Sequence, residues 1–287
     1  MAATLDVRPS PIAGQWYPSD PSRLAASVDA YISGAHLPPI EGQVVAVMTP
    51  HAGHRYSGPV AGYAFAALRE LQPELVAVVS PMHYPAIPPL LTTAHDAYET
   101  PLGLILVDHE AMRNLEEALH PSRIGTTPVR HDPEHSLEIE LPFLQRALKG
   151  EFRLLPIMVR DPSPLVAKAL GQALAKVLLG HVAVLVASTD LSHFYPQDIA
   201  QTLDREMLRR VENFDPEGVL LAEEEGKGFA CGRGALAAVL WAAKDLGANH
   251  VQILNYATSG DVTGDYSQVV GYGSAVITKR SSVNKVI

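Results

Sequence analysis

The chain has 287 residues, 47% hydrophobic and 18% charged, which is enough apolar material for a sizeable core and too little charge for global disorder. Its 22 Lys+Arg against 31 Asp+Glu give a formal charge of -9, which argues against a nucleic-acid binder and its basic face. No apolar run reaches the roughly 18 residues of a membrane span, MAATLDVRPSPIAGQWYP lacks the apolar stretch of a secretory signal, and the single cysteine, Cys231, excludes an intrachain disulfide, so the reducing cytoplasm is the expected setting.

Asp20-Pro21 is an N-cap followed by proline at the first helical position, and predicts a helix to about Ser33. Val44–Thr49 (VVAVMT) is a short buried strand. Val60, Tyr63, Ala64, Ala67, Leu68 and Leu71 share one helical face. Leu75–Ser80 (LVAVVS) is a second buried strand and Leu102–Val107 a third, followed by a helix over Ala111–Leu119. Asp132-Pro133 predicts a helix start, with a kink or stop near Pro142. Phe152–Val159 reads as strand, Leu165–Leu179 as helix, and Val182–Ser188 (VAVLVAS) as a strand with almost no polar break. Helices are expected at 197–212 and 215–225, and Leu236, Val239, Leu240, Ala243 and Leu246 form the stripe of another beginning near Cys231. Strands near 251–257 and 267–277 close the chain, and its last residues, KRSSVNKVI, are expected to fray. No linker or repeat divides the sequence. Continuous apolar strands alternating with amphipathic helices imply an α/β fold: a single domain over 1–287 whose mixed, largely buried sheet is flanked by helices.

Three histidines share one kind of address. His51 comes two residues after VVAVMT, His83 three after LVAVVS, and His193 five after VAVLVAS. If these strands are parallel neighbours, all three lie along the carboxyl edge, where open α/β sheets hold ligands. For any one of them the competing reading is a loop hydrogen bond.

Cys231 sits in GFACGRGAL, just before an apolar helix. A helix N-terminus and the cation of Arg233 would both lower its pKa and favour the thiolate, and Gly232 and Gly234 would let the backbone approach a ligand. The competing reading is a buried, inert hydrophobe. HDPEHSLEIELP offers His131, Glu134, His135 and Glu138 around the expected helix start, with Glu134 and Glu138 on one face; a solvated first turn would look the same. In STDLSH, Asp190 is placed to orient the His193 ring. Tyr266 lies in the loop SGDVTGDYSQ, as an acid, a site wall or packing.

AGQWYP, TPHAGHRYSG, SPMHY, EHSLEIELPFL, STDLSHF, ACGRG and DYSQVVGYGSAV occur in this order. The ordered set resembles the Memo family, component B of the AmmeMemoRadiSam system, and spans nearly the whole chain. That family is similar in fold to the class III extradiol ring-cleaving dioxygenases. The resemblance implies an α/β domain with a metal site formed by His51, His83 and Cys231, and with Asp190 and His193 lining the pocket as catalytic residues. It implies a radical-SAM protein and an AMMECR1-like protein as partners. Two segments depart from the family pattern: PHAGH places His54 where tyrosine is common, and SPMHY places Met82 and Tyr84 where serine and a second histidine are usual.

The resemblance to the dioxygenases, which are non-haem iron enzymes, implies Fe(II) first, while a third ligand that is thiolate rather than carboxylate suits Fe(II), copper or zinc. The expected function is a metal-dependent redox or oxygenase-like enzyme acting on an unknown small substrate. The alternative is a binding or accessory module that uses the same pocket for a peptide or the radical-SAM partner. A zinc hydrolase is a third reading.

Overall fold

The computed structural model describes residues 5–281. Its elements begin with β1 (Val7–Arg8), α1 (Pro21–Gly34), β2 (Gln43–Thr49), α2 (His54–Ala66) and β3 (Leu75–Pro81). Next come β4 (Leu90–Thr93), β5 (Ala97–Thr100), β6 (Gly103–Leu106), α3 (His109–Leu119), β7 (Thr126–Val129), α4 (Leu141–Ala147) and β8 (Arg153–Val159). α5 (Pro164–Leu178), β9 (Ala183–Ser188), β10 (His193–Tyr195), α6 (Gln197–Glu212) and α7 (Pro216–Glu224) follow. α8 (Arg233–Asp245), β11 (His250–Thr258), α9 (Gly260–Thr263) and β12 (Val269–Lys279) complete them. The end of KRSSVNKVI, residues 282–287, lies outside the described residues. Asp20 caps α1 by accepting from the Arg23 N–H, with Pro21 in the first turn as expected.

The main sheet has nine strands in the order β10-β12-β2-β9-β3-β8-β4-β7, with β11 also paired to β12. β2, β9, β3 and β8 run parallel, while β12 opposes β2 and β4 opposes β8, so the sheet is mixed. Helices cover both faces, and the alternation of side chains shows it. Ala46, Met48, Ala77, Val79, Leu185 and Ala187 join one apolar cluster with α5 and α8. Val47, Val76, Val78, Val184 and Val186 join another with α1, α2 and α4. Burial on both faces is why these strands carry no polar alternation. The chain is therefore mixed α/β, as the sequence predicts.

Because β2, β9 and β3 are parallel neighbours, the loops after Thr49, Ser188 and Pro81 leave from one edge. Two expectations are corrected. Leu102–Val107 does not join the main sheet as a core strand: β6 belongs to a small sheet with β1 and β5, and only Ile105 of its four residues is buried. No helix starts at Asp132-Pro133. The segment after Asp132 is irregular until a short 3-10 turn at Glu138–Glu140 leads into α4, so Pro142 lies in the first turn of a helix instead of ending one. The Asp132 side chain makes a bidentate contact with Arg8, at 2.9 and 3.0 Å, and its Oδ1 takes the Glu134 N–H at 3.3 Å in a local turn that no helix continues.

Candidate metal centre

β2 delivers His51 to the shared edge, where it is buried. Its backbone N–H donates to Asp190 Oδ1 at 2.7 Å, which ties the loop after β2 to the loop after β9. Its ring Nδ1 lies 2.8 Å from Ser188 Oγ, and Nε2 lies 3.1 Å from Cys231 Sγ. Burial, and then the nearby rings of His135, His83 and His193, hold the His51 pKa well below the ordinary histidine value. The ring is thus neutral and has a nitrogen facing the sulfur.

β3 delivers His83, whose side chain is 33% exposed. Glu134 grips it twice: the backbone N–H donates to Oε2 at 2.6 Å, and Nδ1 lies 2.9 Å from Oε1. Nδ1 is occupied, so Nε2 is left for a ligand. Burial raises the Glu134 pKa, but the His83 contacts, the Ser136 N–H and His135 outweigh it and bring it to about 2. Glu134 and Glu138 do not share a solvated helical face. Both are buried, and Glu138 turns to Arg8 and the Tyr17 hydroxyl while Glu134 turns to His83.

His135, one of the polar residues of HDPEHSLEIELP, belongs to the cluster and not to a solvated turn. It stacks on His83 at 4.8 Å between ring centroids and on Trp16 at 4.1 Å. Burial pushes its pKa down to about 4, against the pull of Glu134. The signal for Trp16 was its place in AGQWYP, and for Glu134 and His135 the polar run HDPEH. The carboxylate-to-imidazole pairing depends on the tertiary fold.

Cys231 reaches the centre from the other side of β9. Its N–H donates to the Asp190 carbonyl at 3.2 Å, and the Asp190 N–H points back to Sγ at 3.3 Å. Gly232 permits this approach: a Cβ there would lie 2.4 Å from the Ser188 carbonyl oxygen. At Gly234 a Cβ would meet Pro162 at 2.8 Å, so both glycines serve contact between chain segments rather than with a ligand. The expected lowering of the thiol pKa is reversed. Burial raises it, and the Asp190 carboxylate adds to the rise. Arg233 is paired with Glu223 and does not offset this.

His193 opens β10 at a β-bulge, where Phe194 adopts a left-handed φ of 63° and projects its ring into solvent. The His193 Nδ1 lies 2.7 Å from the Leu191 carbonyl. A carbonyl only accepts, so Nδ1 carries the proton and Nε2 presents a lone pair. Burial lowers the His193 pKa, the Leu191 bond opposes this, and His83 lowers it further. Asp190 does not orient this ring, contrary to expectation. Its carboxylate accepts the amides of His51 and Ala52, and burial pushes its pKa up to about 7 despite them. Tyr266 is about half exposed and packs over Gly260, where a Cβ would lie 2.5 Å from its ring.

The ligand atoms of His51, His83 and Cys231 all lie within 4.8 Å of one another. Metal bonds of roughly 2.0–2.3 Å place cis ligands about 3–3.7 Å apart. The Sγ to Nε2 distance of 3.1 Å is already in that range. Two imidazoles with their second nitrogens occupied, plus one thiol, form a donor set that fits a borderline transition metal. His83, Glu134 and His135 form a second such group, in which the Glu134 contacts serve as support for His83.

His54 faces away from this centre. Nε2 lies 3.0 Å from the Ile139 carbonyl, the ring packs on Phe143 and Tyr17, and Nδ1 has no partner among the described residues. Burial pushes its pKa down to about 4 from 6.5, although the Ile139 bond opposes this. Between those pH values the unfolded chain binds a proton that the folded chain refuses, so this group's contribution to stability is lost as pH falls from 6.5 towards 4. The loss is about 3 kcal/mol by the usual conversion of pKa shift to energy. His54→Phe is expected to flatten the acid limb of a urea stability curve by up to one proton; an unchanged limb would refute this account.

A family model described as Memo-like protein matches residues 8–276. A MEMO1 family protein of Nitrosopumilus maritimus is 36% identical over 273 residues, covering 93% of this chain and 98% of the relative. Another, of Methanopyrus kandleri, is 35% identical over 278 residues, with 93% and 98% covered. A crystal structure of an uncharacterized protein from Escherichia coli K12 aligns with a TM-score of 0.49 and 15% identity, over 80% of this chain and 99% of that one. The family match spans nearly the whole chain, including the segments of His51, His83 and Cys231, and the chain belongs to the Memo-like protein family.

Proposed function

We propose that the chain is a metal-dependent redox or oxygenase-like enzyme whose ion, Fe(II) in the first instance, is held by His51 Nε2, His83 Nε2 and Cys231 Sγ. The observation that supports this most is the convergence of three donor atoms within 4.8 Å while Ser188 and Glu134 occupy the other nitrogens of the two rings. A bound ion would supply a redox-active centre to which a small substrate attaches. Everything else falls to the chain. His193, neutral and with a free Nε2 lone pair, takes a proton from the substrate and returns it. Asp190 acts by spacing: it clamps the His51 amide with its carboxylate and Cys231 with its own peptide group. His135, itself backed by the Trp16 ring, stacks on the ring of His83 and limits its rotation.

A second reading, a binding module for a peptide or a radical-SAM or AMMECR1-like partner, is favoured by the exposed rings of Tyr84, Phe194 and Tyr195 next to His83 and His193. No helix among the described residues is long and apolar enough to cross a membrane. We place the protein in the cytoplasm, where the lone thiol stays reduced.

Metal analysis of anaerobically purified protein tests the first reading. Stoichiometric iron in the wild type and loss of metal in Cys231→Ser, with an unchanged far-ultraviolet spectrum, is the expected result. Because second-shell changes alone typically lower affinity about 10–100-fold, removal of the sulfur ligand is expected to lower it by at least that much. Equal metal content in the two proteins would overturn the ligand assignment.

A further inference from the structure

Ser188, the last residue of β9, has three close polar neighbours and one proton. Its Oγ lies 2.7 Å from the Ser136 carbonyl oxygen, 2.8 Å from Glu140 Oε1 and 2.8 Å from His51 Nδ1. Ser136, Ser188, Glu140 and His51 are all buried. A carbonyl oxygen can only accept. The Ser188 O–H must therefore point at Ser136; turned anywhere else, it would leave two acceptor oxygens facing each other at 2.7 Å without water. The hydroxyl keeps two lone pairs, and the two remaining neighbours have to fill them as donors. For His51 this means a proton on Nδ1. For Glu140 it means an un-ionised acid with its hydroxyl on Oε1. The other oxygen, Oε2, then serves as the carbonyl that accepts from Thr49 Oγ1 at 3.3 Å. Among the described residues no cation pairs with Glu140, and burial independently favours its neutral form.

We propose that Glu140 is a positioning residue: a buried neutral carboxylic acid that, through Ser188, locks His51 as the Nδ1–H tautomer with its Nε2 lone pair aimed at Cys231 Sγ. The purpose of this lock rests on the metal centre proposed above, but the proton assignment holds in the metal-free protein. Each of the three contacts is then donor to acceptor, and none is acceptor to acceptor. A neutral Glu140 also adds no further negative charge beside His51, in a cluster where Glu134 already holds a carboxylate against His83. Glu140→Gln preserves the pattern, because the amide N–H donates to Ser188 and the amide oxygen accepts from Thr49. Glu140→Leu removes the donor, and Ser188→Ala removes the link.

The test is made on metal-free protein at neutral pH. Infrared spectra with isotope-labelled glutamate are expected to show the C=O stretch of an un-ionised glutamic acid, which disappears in Glu140→Gln and moves in Ser188→Ala. Ring-nitrogen NMR is expected to show His51 protonated at Nδ1 in the wild type and in Glu140→Gln, and a mixture of tautomers in Ser188→Ala. Iron or cobalt titration is expected to give near wild-type affinity for Glu140→Gln, and affinity weaker by about 10–100-fold for Ser188→Ala and Glu140→Leu. The absence of an un-ionised glutamic acid signal, or His51 protonated at Nε2 in the wild type, overturns the proposal even if metal binds. A wild type that binds no metal but shows both spectroscopic signatures overturns the metal reading and leaves the proton assignment standing.

Discussion

Arg8→Ala is expected to lower the stability of the chain by about 3–5 kcal/mol, the usual penalty for stripping one partner from a buried ionic network. Arg8 is 1% exposed and makes a bidentate pair with Asp132. It also contacts Glu138 and donates to the Glu134 carbonyl at 2.9 Å, while its guanidinium lies 4.9 Å from the centre of the Tyr98 ring. Glu138 takes two more hydrogen bonds, from Tyr17 and Ser10. Without Arg8, two carboxylates stay buried with no cation beside them. Arg8→Lys is expected to recover little, because an ammonium cannot reproduce the planar fork that meets Asp132 at two points. Urea denaturation with an unchanged slope and a lowered midpoint is the readout. The damage should extend to the metal centre, since the segment that Arg8 holds carries Glu134 and His135. A midpoint equal to that of the wild type would show that the network contributes no net stability.

His193→Ala is expected to leave metal content near that of the wild type and to reduce turnover by roughly 10²–10⁴-fold, the range of general acid–base assistance. The basis is the ring geometry: Nδ1 is committed to the Leu191 carbonyl, which leaves the lone pair on Nε2, and the ring is near enough to the centre to depress the protonation of His51 and to have its own depressed by His83. Asp190→Asn is expected to behave differently. Its carboxylate holds the amides of His51 and Ala52 rather than the His193 ring, so the substitution should loosen metal binding as well as turnover. Metal content and turnover measured on the same preparations separate the two. Loss of metal in His193→Ala would make His193 a ligand. Unchanged turnover would leave it a loop residue and remove the strongest support for catalysis.

Much of this architecture is written in local patterns. β2, β3 and β9 are covered on both faces, so each appears in the sequence as an unbroken apolar run, and His51 and His83 follow such runs at short range. The ordered motifs likewise point to the family without any knowledge of contacts. Other features could not be read in this way because their causes act between segments far apart in the chain. No helix starts at Asp132-Pro133, where the main partner of the Asp132 side chain is Arg8, 124 residues away. A helix N-terminus and Arg233 next to Cys231 argue locally for a thiolate, yet burial, the Asp190 carboxylate and the pairing of Arg233 with Glu223 decide the opposite direction for the thiol. Asp190 is three residues from His193, but the fold turns its carboxylate to the amide of His51, 139 residues away. Glu134, His135 and Glu140 gain their roles only when the segment after Asp132 is laid across the ends of β3 and β9. The sequence by itself determines which residues are apolar enough to form the sheet and which donors follow its strands. Only the tertiary structure decides which polar groups lose water, and therefore which partner each must find and where each proton resides.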